Sequence, residues 1–77
     1  MEEKIIEILK GINGKIDYAN STDLIDGEKL NSFDVISLID ELSDEYGVDI
    51  TVNDMLPENF NSVSAIAALI TRLKTRI

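Results

Sequence analysis

The sequence predicts an all-α domain of four helices, with a long first loop and a short third helix. Apolar residues recur at the i, i+3, i+4 spacing of amphipathic helices near the N-terminus, in the middle of the chain and near the C-terminus. No stretch of any length shows the alternation that is typical of a strand. Because 77 residues can build only a small core, we expect a single domain over residues 1–77 with a simple, well-packed interior.

The first helix is predicted from Glu2 to about Ile12. Gly11 and Gly14 are expected to stop it. Residues 13–30 then form a long connection, because they contain Asn-Gly, Asn-Ser-Thr and Asp-Gly turn signals. Apolar residues of this connection should anchor it against the core. They are Ile16, Tyr18, Leu24, Ile25 and Leu30.

The second helix has a defined start. Asn31 can act as its N-cap and Asp34 follows three residues later, which is a close variant of the capping box. A helical pattern covers Val35–Tyr46 and ends at Gly47. This arrangement places the hydroxyl of Ser32 in the first turn of an acidic helix, where solvent can reach it.

Two further helices are predicted in the C-terminal part of the chain. Thr51 and Asp54 suggest a cap for a short third helix around Val52–Leu56, before Pro57 interrupts it. The fourth helix follows the cap residue Ser62. Its apolar stripe is Val63, Ile66, Ala67, Ile70, Leu73 and Ile77, and the cations that suit its C-terminus are Arg72, Lys74 and Arg76.

A helical wheel of the second helix shows apolar residues on two sides. The side expected to face the core holds Val35, Leu38, Ile39, Leu42 and Tyr46. The opposite side holds Phe33, Ile36, Asp40 and Asp44. A small apolar centre beside Ser32 with acidic residues further along suits a transient docking surface. The sequence is equally consistent with an alternative, in which Phe33 folds back onto the long loop and Ile36 rests against the third helix.

The negative charge is strong and unevenly spread. The formal net charge is −8, and residues 23–58 hold eleven acidic residues against the single cation Lys29. Such a surface repels a nucleic-acid backbone and attracts a basic patch on another protein, which argues against nucleic acid as a partner. The simpler alternative is a solvated face that keeps a small protein in solution.

The composition argues against self-contained catalysis. There is no cysteine for a disulfide or a thiolate metal site, and no histidine to act as a general base. No apolar run approaches the ~20 residues of a membrane span, and the N-terminal Met1-Glu2-Glu3-Lys4 is acidic where a signal peptide is basic. We therefore expect a cytoplasmic protein that is not an enzyme, does not insert into membranes and binds no metal.

From Ser32 onward, the pattern resembles that of acyl carrier proteins over roughly residues 24–73. The matching features are Phe33, Ile36, Leu38, Ile39, Leu42 and Tyr46, then Gly47-Val48-Asp49-Ile50, and Phe60-Asn61-Ser62-Val63 at the start of the last helix. Phe33 and the long Thr51–Ser62 stretch look most like the D-alanyl carrier proteins that serve teichoic acid alanylation.

The resemblance implies a cofactor and an attachment site. In that family a serine in an Asp-Ser-Leu motif at the start of the second helix carries a phosphopantetheine arm, and Ser32 matches it. The family's aspartate is Asn31 here; if that aspartate helps to hold the magnesium ion of the modifying transferase, Asn31 offers a carbonyl ligand without the charge. The residues expected to contact partner proteins are Asn31, Phe33, Asp34, Ile36, Ser37, Asp40 and Asp44.

The resemblance also implies partners and cargo. The partners would be a phosphopantetheinyl transferase, an acyl- or aminoacyl-loading ligase and a downstream acyltransferase, each meeting a monomeric carrier. D-alanine is the leading cargo, with a fatty, polyketide or other aminoacyl group as alternatives, because the loading enzyme largely selects the group.

Two other classes of protein remain open at this point. One is a non-catalytic acidic helical adaptor, in which Ser32 is only a helix-start residue. The other is a calcium-binding module, because Asp26-Gly27 could be positions five and six of an EF-hand loop. Three ligand positions of such a loop would then hold unsuitable residues, namely Thr22, Leu24 and Phe33.

Overall fold

Four α-helices make up most of the regular structure in the computed structural model, which describes residues 1–75 apart from the side chain of Val52. The elements are α1 (Glu2–Ile12), α2 (Ser32–Tyr46), a 3₁₀ turn (Val52–Asp54), α3 (Pro57–Phe60) and α4 (Val63–Thr75). Helix α1 packs against α2 and α4, and α3 packs against α4. Residues 1–75 contain no strand. The predicted all-α class, with a long first loop and a short third helix, is confirmed.

Buried apolar side chains from all four helices, from the long loop and from the segment after α2 meet in one core. They are Ile5, Leu9, Tyr18, Leu24, Leu30, Leu38, Leu42, Ile50, Phe60, Val63, Ile66, Leu69 and Ile70. The other two predicted loop anchors, Ile16 and Ile25, are half-buried against this core. Leu69 is buried although the predicted stripe of α4 omitted it. Arg76 and Ile77, which were assigned to the end of that helix, lie outside the described residues.

The ends of the long helices follow from local capping, with one correction. Gly47 ends α2 in the left-handed conformation, at φ 64°, as predicted. The Ser62 hydroxyl accepts the N–H of Ala65 at 3.0 Å and so caps α4 as predicted. Helix α1 covers Glu2–Ile12 as predicted, but Gly11 lies inside the helix and so does not itself stop it. A helical glycine costs only about 1 kcal/mol relative to alanine, which the buried side of α1 offsets.

The third helix begins where the sequence predicted that it would stop. Asp54 does accept the N–H of Thr51, at 3.1 Å, but the turn that this closes is the 3₁₀ turn. Pro57 is the first residue of α3 and does not interrupt a helix. A proline has no N–H to satisfy and a fixed φ near the helical value, so it suits the first helical position. In the described part of the chain, no helix is long and apolar enough to cross a bilayer.

The Tyr18 hydroxyl ties the long loop to the end of α1. It donates to the carbonyl oxygen of Asn13 at 2.6 Å and lies 3.3 Å from that of Leu9, and the side chain is 2% exposed. Tyr18→Phe leaves the Asn13 carbonyl without this donor. We expect the variant to lower the free energy of unfolding by about 1 kcal/mol, measured by urea denaturation at neutral pH.

The same substitution should change how stability depends on pH. Burial raises the pKa of Tyr18, and the nearby charge of Asp34 raises it further. The folded state therefore holds the phenolic proton more tightly than the unfolded chain does. The contribution of this proton to the free energy of unfolding is complete below the ordinary tyrosine pKa of about 10. It is lost as the pH rises from there through the raised pKa of Tyr18 in the folded state. As the pH rises above about 10, the free energy of unfolding should fall less in Tyr18→Phe than in the wild type. An equal fall in both proteins would contradict this account.

Candidate functional site

Ser32 is the first residue of α2, and its side chain is exposed. The side-chain oxygen of Asn31 accepts the N–H of Asp34 at 2.8 Å, and the Asp34 carboxylate accepts the N–H of Asn31 at 3.2 Å. Both halves of the predicted capping box are therefore present. Because the box uses the residues on either side, the hydroxyl of Ser32 is not needed to start the helix.

The N-terminal end of α2 suits a negatively charged group. The first N–H groups of a helix have no acceptor within it, and here these include the N–H groups of Ser32 and Phe33. The capping box already satisfies the N–H of Asp34. The positive end of the helix dipole adds to the attraction, so a phosphate linked to Ser32 would be stabilised where it is attached.

The two sides of α2 differ as the wheel predicted. Leu38 and Leu42 are buried, and Val35, Ile39 and Tyr46 are half-buried against the core. On the opposite side Phe33 is 81% exposed and Ile36 is 53% exposed, while Asp40 and Asp44 are exposed as well. The alternative in which Phe33 folds back onto the long loop is therefore wrong. We call this exposed set, Phe33, Ile36, Asp40 and Asp44, the outer face of α2.

The remaining residues predicted to contact partners lie close to the start of α2. Asn31 and Ser37 are exposed, and Ser37 stands little more than one helical turn beyond Ser32. Asp34 is half-buried and its carboxylate is engaged in the capping box. The structure thus brings all seven predicted residues onto one helix and its cap, with Asp34 holding the cap.

An open, mainly apolar cleft borders Ser32. It has a volume of about 240 Å³ and is lined by Ile25, Leu30, Asn31, Ser32, Val35, Ile36 and Met55. A smaller hollow of about 100 Å³ shares three of these residues and is also lined by Leu56, Pro57 and Phe60. An apolar part of a group attached to Ser32 can lie in the cleft without crossing the core.

Sequence reasoning missed Met55 and Leu56 as residues of this site. They are 41% and 45% exposed, and they lie between the 3₁₀ turn and α3. The signal was available: two large apolar residues stand directly before Pro57. A residue before proline is held extended, as Leu56 is at ψ 142°, so the helical pattern cannot run through these two residues into Pro57, and both stay exposed.

The loop in front of α2 forms one wall of the cleft. The carbonyl oxygen of Leu24 accepts the N–H groups of Lys29 and Leu30, each at 3.0 Å. Gly27 passes so close to Asp23 that a Cβ atom there would lie 2.7 Å from the Asp23 carbonyl oxygen, so the turn requires glycine. The Lys29 ammonium lies 2.9 Å from the Asp23 carboxylate, and their hydrogen bond lowers the pKa of Asp23.

The surroundings of Ser32 suit attachment of a group better than catalysis. The chain has neither histidine nor cysteine, and the Asp34 carboxylate accepts a backbone N–H. Within residues 1–75, no three acidic side chains come together where a metal ion could bind. The EF-hand alternative is wrong, because α1 ends at Ile12 and no helix leads into Thr22. What the site offers is an exposed hydroxyl at a helix N-terminus beside an apolar cleft.

Comparison with protein families gives a match over most of the chain. A family model described as "Phosphopantetheine attachment site" matches residues 3–70, a range that includes Ser32 and the cleft around it. Neither the curated proteins nor the solved structures contain a significant match to the chain.

Proposed function

Because the chain belongs to the phosphopantetheine-attachment family of acyl carrier domains, we propose that it carries an acyl or aminoacyl group on an arm attached to Ser32. The observation that carries the proposal is the position of Ser32. It is exposed, it begins α2, and it borders the cleft of about 240 Å³. The family's cofactor is a covalently attached phosphopantetheine, and the residues around Ser32 fit such a group.

Attachment requires that Ser32 be presented to a transferase. The Ser32 oxygen would attack the phosphorus that bears the pantetheine part of coenzyme A, its proton would pass to a base of the transferase, and the adenosine bisphosphate would leave. The new phosphodiester would lie beside the N–H groups of Ser32 and Phe33. Once attached, the arm holds its cargo as a thioester on its terminal thiol, at high effective concentration for successive enzymes.

A carrier of this kind needs no catalytic residues of its own. Its partners would be a phosphopantetheinyl transferase, a loading ligase and a downstream acyltransferase, which supply the acids, bases and metal ions. The outer face of α2 would receive them, since it combines exposed Phe33 and Ile36 with the charges of Asp40 and Asp44. A cytoplasmic location and a monomeric state stay predictions.

For the cargo, the proposal extends to an aminoacyl group, with D-alanine for teichoic acid alanylation as the first candidate. Phe33 and the long Thr51–Ser62 segment support it through their resemblance to D-alanyl carriers. Competition between D-alanine and fatty acids for loading onto the modified protein, with the matching ligases, tests this choice.

Mass spectrometry of the intact protein tests the function itself. After incubation with coenzyme A and a broad-specificity phosphopantetheinyl transferase, the protein should gain the mass of one phosphopantetheine group, and fragmentation should place it on Ser32. A helical adaptor gains no mass under the same conditions. No gain of mass would refute the proposal, provided that a known carrier protein, added to the same reaction as a positive control, is modified.

Asn31→Asp should speed the modification. Both residues are good caps, so α2 should start at the same place. If a magnesium ion of the transferase is bound beside this position, the carboxylate offers it a charged ligand in place of an amide oxygen. We expect kcat/KM for attachment to rise about tenfold, which corresponds to about 1.4 kcal/mol. An unchanged rate at several magnesium concentrations would contradict this role for position 31.

A further inference from the structure

Asn61 joins the junction of α3 and α4 to the loop in front of Ser32. Its side-chain oxygen accepts the backbone N–H groups of Ile25 and Asp26, each at 3.0 Å. Its side-chain nitrogen donates to the Asp26 carboxylate at 2.9 Å, and its backbone carbonyl accepts the N–H of Leu24 at 2.9 Å. One residue is thus bonded to three consecutive residues that are distant in the sequence.

The segment that Asn61 holds leads directly to Ser32. The Leu24 carbonyl accepts the N–H of Leu30 at 3.0 Å, and Leu30 stands immediately before the capping box of α2. Ile25 and Leu30 are also residues that line the cleft beside Ser32. The position of this wall relative to α2 therefore depends on the bonds that Asn61 makes.

Asn61 is also linked to the smaller hollow that adjoins the cleft. It directly follows Phe60, which is 2% exposed and lines the smaller hollow together with Ile25 and Met55. Phe60 anchors α3 in the core, and the Asn61 side chain bonds to the backbone of Ile25. A single side chain therefore helps to fix the position of the loop wall, which the cleft and the hollow share through Ile25, relative to α3.

We propose that Asn61 is a positioning residue for the attachment reaction at Ser32. By holding the loop wall, it presents Ser32 and the adjoining cleft to the transferase in one fixed arrangement. The proposal rests on the function proposed above. Without these bonds the connection over residues 13–30, which contains no helix or strand, gains conformations, and the transferase meets a mixture of them. The rate of attachment then falls more than the loss of stability alone explains.

A swapped pair of side chains tests the proposal. Asn61→Asp keeps an acceptor for the N–H groups of Ile25 and Asp26, but it removes the donor and places a second carboxylate beside that of Asp26. Combining it with Asp26→Asn restores donor and acceptor in the opposite order. With coenzyme A and a broad-specificity phosphopantetheinyl transferase, kcat/KM should fall about tenfold in Asn61→Asp and return to within about twofold of the wild type in the double variant.

Asn59→Ala is the matched control for Asn61→Ala. The Asn59 side chain donates to the Asp54 carbonyl at 2.8 Å and accepts from Arg72 at 3.1 Å, so two bonds near α3 are lost away from the loop. We expect both alanine variants to melt at a lower temperature. Only Asn61→Ala should also slow attachment, by about tenfold or more, and increase hydrogen exchange at the amides of Ile25 and Asp26.

Several results would overturn the proposal. One is attachment at the wild-type rate in folded Asn61→Asp, and another is a folded double variant that stays as slow as this single variant. Equal slowing in Asn59→Ala at equal melting temperature would show that the rate follows stability alone. If the wild type itself gains no mass, the proposed function fails and the positioning role fails with it. If the wild type is modified, unchanged exchange at Ile25 and Asp26 in Asn61→Ala refutes the positioning role alone.

Discussion

Ser32→Ala is expected to abolish phosphopantetheine attachment while leaving the fold intact. The substitution removes the only oxygen through which the proposed phosphodiester can form at this position. The capping bonds belong to Asn31 and Asp34, and alanine is the best helix former, so the free energy of unfolding should change by less than about 1 kcal/mol. Intact mass after incubation with coenzyme A and a transferase measures the first effect, and thermal melting followed by circular dichroism measures the second.

Ser37→Ala is the control for this result. Ser37 is exposed on the same helix, so its replacement by alanine removes a similar hydroxyl from the same acidic surface. We expect Ser37→Ala to gain the mass of one phosphopantetheine group at the end point, as the wild type does, because a residue that contacts the transferase can alter the rate of attachment but not its site. Attachment that persists in Ser32→Ala and is lost in Ser37→Ala would assign the attachment site to Ser37 instead of Ser32. Loss in both variants would instead point to a disturbed docking surface.

The start of α2 could be predicted from the sequence because its determinants are local. Asn31 and Asp34 bond to each other's backbone across a single turn, and this geometry follows from their spacing. The two faces of α2 and the capping of α4 by Ser62 could be predicted for the same reason. The exposed position of Ser32 follows from these local features, before any packing is considered.

The third helix was misplaced because proline has two opposite local effects. It breaks a helix that precedes it, and it is also favoured at the first position of a new one. Thr51 and Asp54 form a cap in either case, so the local pattern does not decide between them. The packing of α3 against α4, with Phe60 in the core, selects the second arrangement. That contact is tertiary, so the sequence of the segment alone does not predict it.

The role of Asn61 is the clearest example of what the sequence leaves hidden. An asparagine between two helices is ordinary turn chemistry, and its partners Ile25 and Asp26 are distant along the chain. Leu69 was overlooked for a related reason. It lies outside the narrow predicted stripe, but α4 is contacted by both α1 and α3 and so buries a wider part of its surface. Both features depend on how the helices are arranged in space.

Replacing both Asp40 and Asp44 by lysine is expected to slow loading of the modified protein by its ligase about tenfold at low salt. These carboxylates are exposed on the outer face of α2, where they would attract a basic partner before contact. Exposed charges are screened beyond a Debye length of ~8 Å at physiological ionic strength. The wild-type rate should therefore fall as salt is added, whereas the rate of the variant should change little. Steady-state kcat/KM measured over a range of sodium chloride concentrations tests both expectations.

A matched charge change on α1 separates docking from net charge. Glu3 and Glu7 are both exposed, and replacing them by lysine alters the net charge of the protein by the same amount as the changes on α2. If loading depends on the outer face of α2, this control should keep most of its rate and its salt dependence. Equal slowing in the two variants would mean that the partner responds to overall charge, and the outer face would lose its assigned role.

Ile36→Ala should act on the same complex by a different physical route. Ile36 is 53% exposed and lies outside the core stripe of α2, so its truncation should barely change the melting temperature. The lost apolar contact should cost about 1 kcal/mol of binding, roughly a fivefold faster dissociation, with little effect on salt dependence. Charges would then govern the approach of the partner and Ile36 its residence on the surface. A large fall in melting temperature for Ile36→Ala, together with normal loading of the charge-reversed protein, would show instead that Ile36 belongs to the core and that the acidic face is only solvated.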